Sequence, residues 1–523
     1  MKLNIIDTEP HQITIELEND TCYTAPSKVS AKARCIASQT PGVRSSEREY
    51  EFTTNVFTID GLSPDTTYSL ELQDESGDIG NGSFTTSKES VLLDVRRFGA
   101  KGDGETRDTS AIQAAIMACP PEGTVYLGSG TYLCGPLFIK SNMSIWLDED
   151  AVILGSTDRG DYPVLPGMVY STDEKEDYNF GSWEGNPLDC HASLITGIEV
   201  ENVRIYGRGK LDGNAQNGDW WVNPKIRRDA WRPRTVFLNR CKNIKLVGIT
   251  VCNTPCWTIH PYYCDNVDLI GLTIRNPSDS PNTDGIDPES CVNLNVIGTD
   301  ISVGDDCIAI KSGKIYMARK HYRRTSGLIV RNCRLNRGHG SVTVGSECAG
   351  GVENVHVSQC IFDSTDRGLR IKTRRGRGSR SVLEDIVFDS IRMINVRMPF
   401  TVNMFYFCDP DGHSEYVQTK EPQPVDELTP EIRSIIARNI TCEGVDAALL
   451  TVYGLPEKKV GEVVLENIEA DFLPEEKRVP AVPVMMDGME PMSGRGIFVR
   501  NVEKLTLNNV NIRGSVDTEP DIG

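Results

Sequence analysis

The sequence predicts an all-β protein in which a small β-sandwich, residues 1–88, precedes a right-handed parallel β-helix, residues 89–523. Three observations support this prediction. Residues 1–88 alternate apolar and polar positions like paired strands, a strand motif then recurs about every thirty residues, and the repeats lack the spacing of amphipathic helices. A fixed period in this range is typical of a solenoid, whose stacked coils bury one continuous core.

The N-terminal region contains the strand-like segments QITIELEND, YEFTTNVFTID and TYSLELQD, separated by turn residues. Within LSPDTTYSLEL, Tyr68 follows a Pro-Asp turn and begins a strand, which is where a tyrosine corner lies in a β-sandwich. This region resembles a fibronectin type III domain. We expect it to pack against the rest of the chain as a spacer, with carbohydrate binding as the alternative role.

One short helix is predicted near the start of the second region. Asp108 and Thr109 are suitable capping residues, and Pro120 ends the pattern. The apolar positions between them have helical spacing: Ile112, Ala115, Ile116 and Ala118. We expect this helix to cover the open end of the solenoid.

The repeated motif is an asparagine followed by alternating apolar residues and a glycine. Clear copies are NVRIYG at Asn202, NIKLVG at Asn243, NVDLIG at Asn266 and NLNVIG at Asn293. The copies continue with variable loops between them, and loops that rise from solenoid turns commonly shape a binding face. The motif therefore predicts a parallel β-helix with a groove along one side.

The composition excludes several classes of partner. A formal net charge of -19 and a pI near 5.0 argue against nucleic acid, and no apolar run is long enough to span a bilayer. The sixteen cysteines are scattered among strand residues without a CxxC pair, which favours reduced thiols packed in the core. The N-terminus lacks an apolar secretory stretch, so we expect a cytoplasmic protein.

Basic residues are concentrated in two stretches of this acidic chain. The first stretch contains Lys311, Lys314, Arg319, Lys320, Arg323, Arg324, Arg331, Arg334 and Arg337. The second contains Arg367, Arg370, Lys372, Arg374, Arg375, Arg377 and Arg380. Such clusters indicate either a site for an anionic ligand or a solvated basic face.

Four short motifs fall on successive predicted coils: NTDG at 282–285, GDD at 304–306, GHG at 338–340 and RIK at 370–372. Steps of 21, 34 and 31 residues from Asp284 to Asp305, His339 and Arg370 are each close to one coil, so these residues should stack on one face. Arg370 and Lys372 lie two apart and share a strand face. Asp305 and the adjacent Asp306 reach one cleft only if the backbone bends, which Gly304 permits.

These motifs, in this order, resemble those of the polygalacturonases, pectin-degrading glycoside hydrolases built on a parallel β-helix. The resemblance implies that Asp305 is the general acid and that Asp284 and Asp306 activate water. It also implies that His339 supports protonation of the acid. The implied substrate-binding residues are Asn282, Arg370, Lys372 and, on a looser match within NMFYFCDPDG, Tyr406. The substrate would be a galacturonate-containing oligo- or polysaccharide, whose carboxylates fit the basic residues.

The segment CWTIHPYYCDNVDLIGLTIRNPSDSPNTDGIDPESC is similar to that of exo-acting members of the family. The basic and aromatic loop 313–327 is expected to block one end of the groove. His260 and Trp257, one coil before NTDG, are expected to help form a closed subsite that binds substrate. The sequence therefore predicts release of sugars from a chain end.

Three alternatives remain open at this point. A galacturonidase acting on rhamnogalacturonan would use the same motifs, because they read only the galacturonate that is cleaved. A pectate lyase shares the fold and the anionic substrate but normally needs calcium-binding carboxylates and an arginine base. A non-catalytic β-helix would need no aspartates in phase. We expect no cofactor and no metal site, and a homo-oligomer is possible.

Overall fold

The computed structural model describes residues 2–39, 47–170, 177–517 and 519–523. It contains two β-structures joined in sequence, an antiparallel β-sandwich followed by a long parallel β-helix. The predicted fold class is confirmed. None of the helices in these ranges is long and apolar enough to cross a membrane.

The sandwich consists of a three-stranded and a four-stranded antiparallel sheet. Its strands are Lys2–Thr8, Ile13–Glu18, Thr24–Ser38, Glu47–Thr54, Val56–Ile59, Thr66–Asp74 and Gly77–Thr85. The hydroxyl of Tyr68 accepts a hydrogen bond at 2.9 Å from the backbone N–H of Ser63, which is the contact expected of a tyrosine corner. Assignment to the fibronectin type III class stays a prediction.

The β-helix has three columns of parallel strands. The first column comprises Leu92–Asp94, Gly123–Leu127, Met143–Leu147, Glu201–Gly207, Lys242–Val247, Asp265–Ile270, Val292–Ile297, Thr325–Arg331, Val352–Ser358, Val382–Ile394, Glu431–Ile432, Ser434–Val445, Val460–Phe472 and Val502–Arg513. The second comprises Asp103–Arg107, Gly130–Cys134, Ala151–Gly155, Lys210–Asp212, Thr250–Cys252, Thr273–Arg275, Asp300–Ser302, Arg334–Asn336 and Ile361–Asp363.

The third column carries the outward face described below. It comprises Leu137–Phe138, Ile195–Ile198, Val236–Asn239, Ile259–Tyr262, Ile308–Ile310, Val342–Val344, Arg367–Lys372, Met398–Asn403, Ala448–Tyr453, Arg495–Arg500 and Asp521–Ile522. Four short strands pair outside the columns: Val164–Leu165 with Cys190–His191, and Val169–Tyr170 with Asp177–Tyr178.

Helices are few and short. The α-helices are Thr109–Ala118, Ile315–Lys320 and Glu415–Gln418, and the 3-10 turns are Val95–Phe98, Arg159–Asp161, Ala215–Asn217 and Glu475–Lys477. In Thr109–Ala118 the predicted apolar positions Ile112, Ala115 and Ile116 are buried in the β-helix core, but Ala118 faces solvent and Cys119 is buried instead. Helical spacing from Ile112 through Ala115 and Ile116 leads to Cys119, whereas Ala118 lies off this buried stripe.

The repeated motif explains how successive coils stay in register. Asn202, Asn243, Asn266 and Asn293 each adopt a positive φ between 53° and 57°, a conformation that asparagine tolerates well. Each side-chain amide donates to the asparagine of the preceding coil at 2.9–3.1 Å, starting from Asn142. The apolar residues that follow point inward, so the motif fixes both the turn and the core position.

The glycine that ends the motif allows the sandwich to dock against the first column. A Cβ on Gly298, whose φ is +63°, would lie 2.4 Å from Val56 of the sandwich. Nearby, Arg331 donates two hydrogen bonds to Glu16 at 2.7 and 2.8 Å, and Asn332 donates a third. The sandwich therefore packs on the side of the coils through complementary shape and paired charge.

All sixteen cysteines are free thiols. Thirteen are buried, and several stack in the β-helix interior, where they behave as small apolar side chains. The expectation of reduced cysteines packed in the core matches this arrangement, although Cys408 is exposed.

Candidate active site

The third column of strands places one outward residue from each coil in a continuous row. Strand pairing aligns Ala309 with Thr343 and Thr343 with Arg370. Two isolated bridges extend the row to His260 and Asp287, because Ile259, Ile286 and Ile308 pair in turn. The turns that precede these strands carry NTDG, GDD and GHG, and they stack in turn, because Gly285 donates its N–H to the carbonyl of Asp306 and Cys307 to that of Gly340.

A cleft of about 510 Å³ opens over the C-terminal part of this row. Asp284, Asp305 and Asp306 all line it, and one carboxylate oxygen from each lies within 4.8 Å of the others. The remaining lining residues that matter here are Glu184, Lys225, Trp257, Asn282, Lys311, His339, Glu347, Arg370, Lys372, Tyr406, Cys408, Asp409 and Met485.

The adjacent aspartates reach the same cleft because the chain turns sharply between two strands. Asp305 is half-buried and its carboxylate accepts the backbone N–H of Asp306 at 3.0 Å. Gly304 is needed for close approach rather than for a left-handed conformation: a Cβ there would lie 2.4 Å from the carbonyl oxygen of Ser280. The predicted bend is present, and its cause is contact with the turn around Ser280.

Asp306 is a buried carboxylate held by two cations. Arg370 donates to one of its oxygens at 3.0 Å and Lys372 to the other at 2.9 Å. Burial alone would raise the pKa of Asp306, but Lys372 and Arg370 outweigh it and hold that pKa far below the ordinary range. Asp306 is therefore ionised, and a divalent cation at these carboxylates would have to compete with both basic side chains.

Asp284 lies in a contrasting environment. Its backbone carbonyl accepts hydrogen bonds from the N–H and the hydroxyl of Thr258, which fixes its position on the coil. Burial, followed by the charges of Asp287 and Asp305, raises the pKa of Asp284 well above its usual value. The cleft therefore holds one carboxylate that is always ionised beside another that resists ionisation.

His339 lies at the exposed rim of the cleft. Its backbone N–H donates to the carbonyl of Asp305 at 3.1 Å, and its Nδ1 pairs with the carboxylate of Asp366 at 3.0 Å. The bond to Asp366 raises the pKa of His339. Asp366 was not identified from the sequence, although it lies one coil after His339 and its spacing alone could have indicated a contact.

Asn282 and Tyr406 also line the cleft, as predicted for substrate-binding residues. The buried Arg232 donates to the Asn282 side chain at 2.7 Å and to the carbonyl of Pro281 at 3.0 Å, which fixes the turn. Lys372 lies 5.4 Å from the centroid of the Tyr406 ring. No motif in the sequence links Arg232 to the NTDG turn.

The prediction for His260 does not match the structure. Its side chain is 0% exposed and its Nε2 contacts Glu289 at 3.0 Å, so it has no direct access to the cleft. A stack formed by Trp183, Trp231 and Trp257 covers this end of the row, with centroid distances of 4.5 and 6.3 Å from Trp183. His260 points outward from its coil as its strand position requires, but this cover buries it, and Trp257 lines the cleft instead.

The loop 313–327 also differs from its predicted role. It contains the helix Ile315–Lys320, and none of its residues lines the cleft. The loop instead contacts the residues that form the cleft wall. Lys314 pairs with Asp409 at 2.9 Å, and its backbone N–H donates to the carbonyl of Gly185, next to Glu184. The wall itself comes from Glu184 and Asp409.

The two basic stretches do not form a continuous basic patch. Within the described ranges, the cations that line the cleft are Lys225, Lys311, Arg370 and Lys372. Many others are paired with acidic residues elsewhere: Arg324 with Glu353, Arg331 with Glu16, Arg334 with Asp363, Arg374 with Asp409 and Arg375 with Glu457. The high density of basic residues in the sequence thus reflects structural ion pairs more than a binding surface.

A family model described as glycosyl hydrolases family 28 matches residues 173–472, which includes all four motifs. The chain belongs to this family. A second model, described as rhamnogalacturonase A/epimerase, pectate lyase-like, matches residues 92–147. Membership in family 28 confirms that the protein is a glycoside hydrolase of the polygalacturonase family.

Similar proteins include polygalacturonases, and a solved structure shares the fold. The chain is 29% identical over 402 residues to a probable polygalacturonase of Vitis vinifera, covering 75% of this chain and 77% of the relative. It is 29% identical over 382 residues to an endo-polygalacturonase of Pectobacterium carotovorum subsp. carotovorum, covering 71% and 85%. The structure of a Yersinia enterocolitica family 28 exopolygalacturonase shares the fold over 100% of this chain and 98% of that one, with a TM-score of 0.68 and 19% identity.

Proposed function

We propose that the protein is an exo-acting polygalacturonase that hydrolyses α-1,4-galacturonosyl linkages at the end of pectic oligo- or polygalacturonates, with inversion. The observation that carries the proposal is the grouping of three aspartates of unequal environment in one cleft lined by basic residues. Glycoside hydrolysis needs a proton donor at the leaving oxygen and a carboxylate that activates water. Clustered carboxylates in different surroundings meet both needs at one pH.

We assign the general acid to Asp305. It is half-buried, it is the most accessible of the three aspartates, and it lies beside His339. Asp306 is held ionised by Arg370 and Lys372, so it suits the activation of water. The family resemblance pairs Asp284 with it, and Asp284 must lose its proton to share that role, against the burial that raises its pKa. Arg370 and Lys372 retain further N–H donors, which can receive a substrate carboxylate without releasing Asp306.

The exo mode is supported by the walls of the cleft. Segments far apart in sequence converge on its lining, which includes Glu184, Asn282, Asp409 and Met485. Arg370 donates to the sulfur of Met485 at 3.2 Å. A cleft enclosed by several loops favours a chain end over the middle of a polymer. The chain is similar both to endo-acting and to exo-acting enzymes, so these relatives do not favour either mode of attack. The support for the exo mode is therefore the shape of the cleft walls.

Inversion is proposed from the family resemblance. Inverting enzymes typically separate their two carboxyl groups by about 6.5–9.5 Å and retaining enzymes by about 5–5.5 Å. The anomeric configuration of the first-formed product, read by proton NMR within minutes of mixing, decides between them. A product of the same configuration as the substrate would overturn the inverting assignment.

The second candidate is a galacturonidase that acts on rhamnogalacturonan oligosaccharides. It is favoured by the match of residues 92–147 to the rhamnogalacturonase A/epimerase model. By the family resemblance, the four motifs read the galacturonate that is cleaved and do not specify its neighbour. Substrate preference therefore rests on the walls of the cleft.

Mass spectrometry of the earliest soluble products, with a chelator present, tests reaction type and mode of attack together. Saturated mono- or digalacturonate alone would support the exo-hydrolase. A ladder of longer saturated products would indicate endo action, and unsaturated products would indicate a lyase. Activity only on rhamnogalacturonan fragments would favour the second candidate. Asp305→Asn should abolish product while leaving the folded state intact.

A further inference from the structure

Glu184 is a residue of the cleft wall that the sequence motifs did not identify. It lies in a tight turn, residues 183–186, which is closed by hydrogen bonds of 2.9 and 3.1 Å between the backbones of Trp183 and Asn186. Glu184 and Gly185 have φ angles of 45° and 74°, as the two central residues of a type I′ turn require. A positive φ is uncommon for glutamate, so the turn specifies this placement rather than local preference.

The start of the turn is fixed to the segment that covers the end of the cleft. The buried Arg234 donates to the carbonyl of Ser182 at 2.7 Å, and its guanidinium lies 5.5 Å from the centroid of the Trp183 ring. Trp183 is also the central ring of the tryptophan stack that contains Trp231 and Trp257. The turn therefore leaves the cover in one direction.

The end of the turn is fixed to the coils of the β-helix. The carbonyl of Gly185 accepts the backbone N–H of Lys314 at 2.9 Å. A Cβ on Gly185 would lie 2.9 Å from side-chain carbons of Glu347, so the turn packs closely against that coil. Because both ends are fixed, the position of Glu184 in the cleft is set before substrate binds.

The carboxyl group of Glu184 lines the cleft without a partner. Within the described ranges it forms no hydrogen bond and no ion pair. The lysines nearby are already matched, Lys314 by Asp409 at 2.9 Å and Lys311 by Glu347 at 3.5 Å. Burial, and then the charge of Glu347, raises the pKa of Glu184, and a carboxyl group accepts hydrogen bonds in either protonation state. A fixed and unmatched acceptor in a cleft suits the hydroxyl groups of a ligand.

We propose that Glu184 binds the free hydroxyls on C3 and C4 of the terminal galacturonate and so selects the non-reducing end of the chain. This inference rests on the proposed function. In an α-1,4-linked galacturonan, every internal unit uses its O4 in a glycosidic bond, whereas the non-reducing terminal unit keeps both hydroxyls. The two hydroxyls are cis in galacturonate, so the two oxygens of one carboxylate can accept both. An internal unit would leave one oxygen unmatched, and a site built to bind a hydroxyl rejects a ligand that lacks it.

The test compares trigalacturonate with an analogue whose non-reducing terminal unit lacks O4. In the wild type, loss of one hydrogen bond to a charged group should lower kcat/KM on the analogue by about 10- to 100-fold. In Glu184→Ala, kcat/KM on ordinary trigalacturonate should fall by a similar factor, and the two substrates should become nearly equivalent. A purely structural role for Glu184 would lower kcat/KM on both substrates and leave their ratio unchanged.

Glu122→Ala is the matched control, because Glu122 also has a positive φ, 59°, and is exposed on a turn outside the cleft. This variant reproduces the backbone strain of alanine in that conformation, so it should keep the activity and the substrate ratio of the wild type. Glu184→Gln retains one carbonyl acceptor, and its ratio should lie between those of the wild type and Glu184→Ala. If Glu184→Ala does not fold, an unchanged ratio in Glu184→Gln would contradict the inference.

The outcomes distinguish this inference from the proposed function. A wild type inactive on every galacturonate oligomer would refute both. An active, exo-acting wild type whose substrate ratio is the same in Glu184→Ala would refute the inference and leave the function standing. Early release of labelled mono- or digalacturonate from hexagalacturonate tagged at its reducing end would show attack from that end, and the inference would be wrong.

Discussion

Gly340→Ala should damage catalysis by moving Asp306, although residue 340 takes no part in the chemistry. A Cβ at this position would lie 2.8 Å from Oδ1 of Asp306, 2.4 Å from Oγ1 of Thr343 and 3.3 Å from the Cδ of Arg370. Ordinary contacts begin near 3.4 Å, so the carboxylate or the backbone must shift by about 0.6 Å. Displacements approaching 1 Å cost about 100-fold in rate, so we expect kcat to fall about 10- to 100-fold.

The assay is steady-state release of reducing sugar, with thermal unfolding measured on the same samples. Gly82→Ala is the control, because its Cβ would meet nothing within 4 Å. It should keep full activity. Thr343→Ala combined with Gly340→Ala removes one of the two clashes and leaves the contact with Asp306. A Gly340→Ala enzyme with kcat within twofold of wild type would refute the argument that Asp306 needs this exact fit.

Three further outcomes are expected. Asp366→Asn should lower the pKa of His339 and move the alkaline limb of kcat to lower pH by about one unit, whereas an unmoved limb would separate His339 from catalysis. Gly298→Ala, with a methyl 2.4 Å from a side-chain carbon of the sandwich, should cost about 1–3 kcal/mol more in unfolding free energy than Gly271→Ala, whose φ is similar and whose nearest contact is 3.9 Å away; equal losses would contradict the docking. Burial, and then the charge of Asp7, raises the pKa of Glu9 from 4.5 to about 8. The contribution of Glu9 to the free energy of unfolding is then complete below pH 4.5 and is lost as the pH rises to about 8. Glu9→Gln should therefore make the free energy of unfolding less dependent on pH in this range, as measured by chemical denaturation.

The sequence was sufficient to predict the β-helix and the positions of its central residues. The period of the asparagine motif predicted the coil length, and the strand register then placed Asp284, Asp305, His339 and Arg370 around one cleft. Contacts within one coil or between neighbouring coils can be predicted from the sequence, because residues one repeat apart become neighbours in space. Asp366, one coil beyond His339, was within reach of the same reasoning.

The walls of the cleft were not predictable in the same way. Arg232, four residues before Val236, lies at the coil position that Asn282 holds four residues before Ile286, so the repeat could have placed it beside the NTDG turn. Met485, by contrast, reaches the cleft from more than a hundred residues beyond Arg370. No period relates such segments to the coils they cover. The burial of His260 follows from the same cause, because a cover from elsewhere in the chain turns an outward position into an interior one.

The two adjacent aspartates of the GDD motif carry an electrostatic cost that the structure distributes unequally. Arg370 and Lys372 compensate Asp306, and Asp305 stays near solvent beside His339. Because these cations hold Asp306 ionised before substrate arrives, a galacturonate carboxylate would meet a site of reduced positive charge. It would have to use the free N–H donors of the same side chains, and binding would then tighten the geometry of Asp306 at the moment it acts. A substrate lacking the carboxylate would leave those donors unmatched in a buried site, which disfavours neutral sugars at this position.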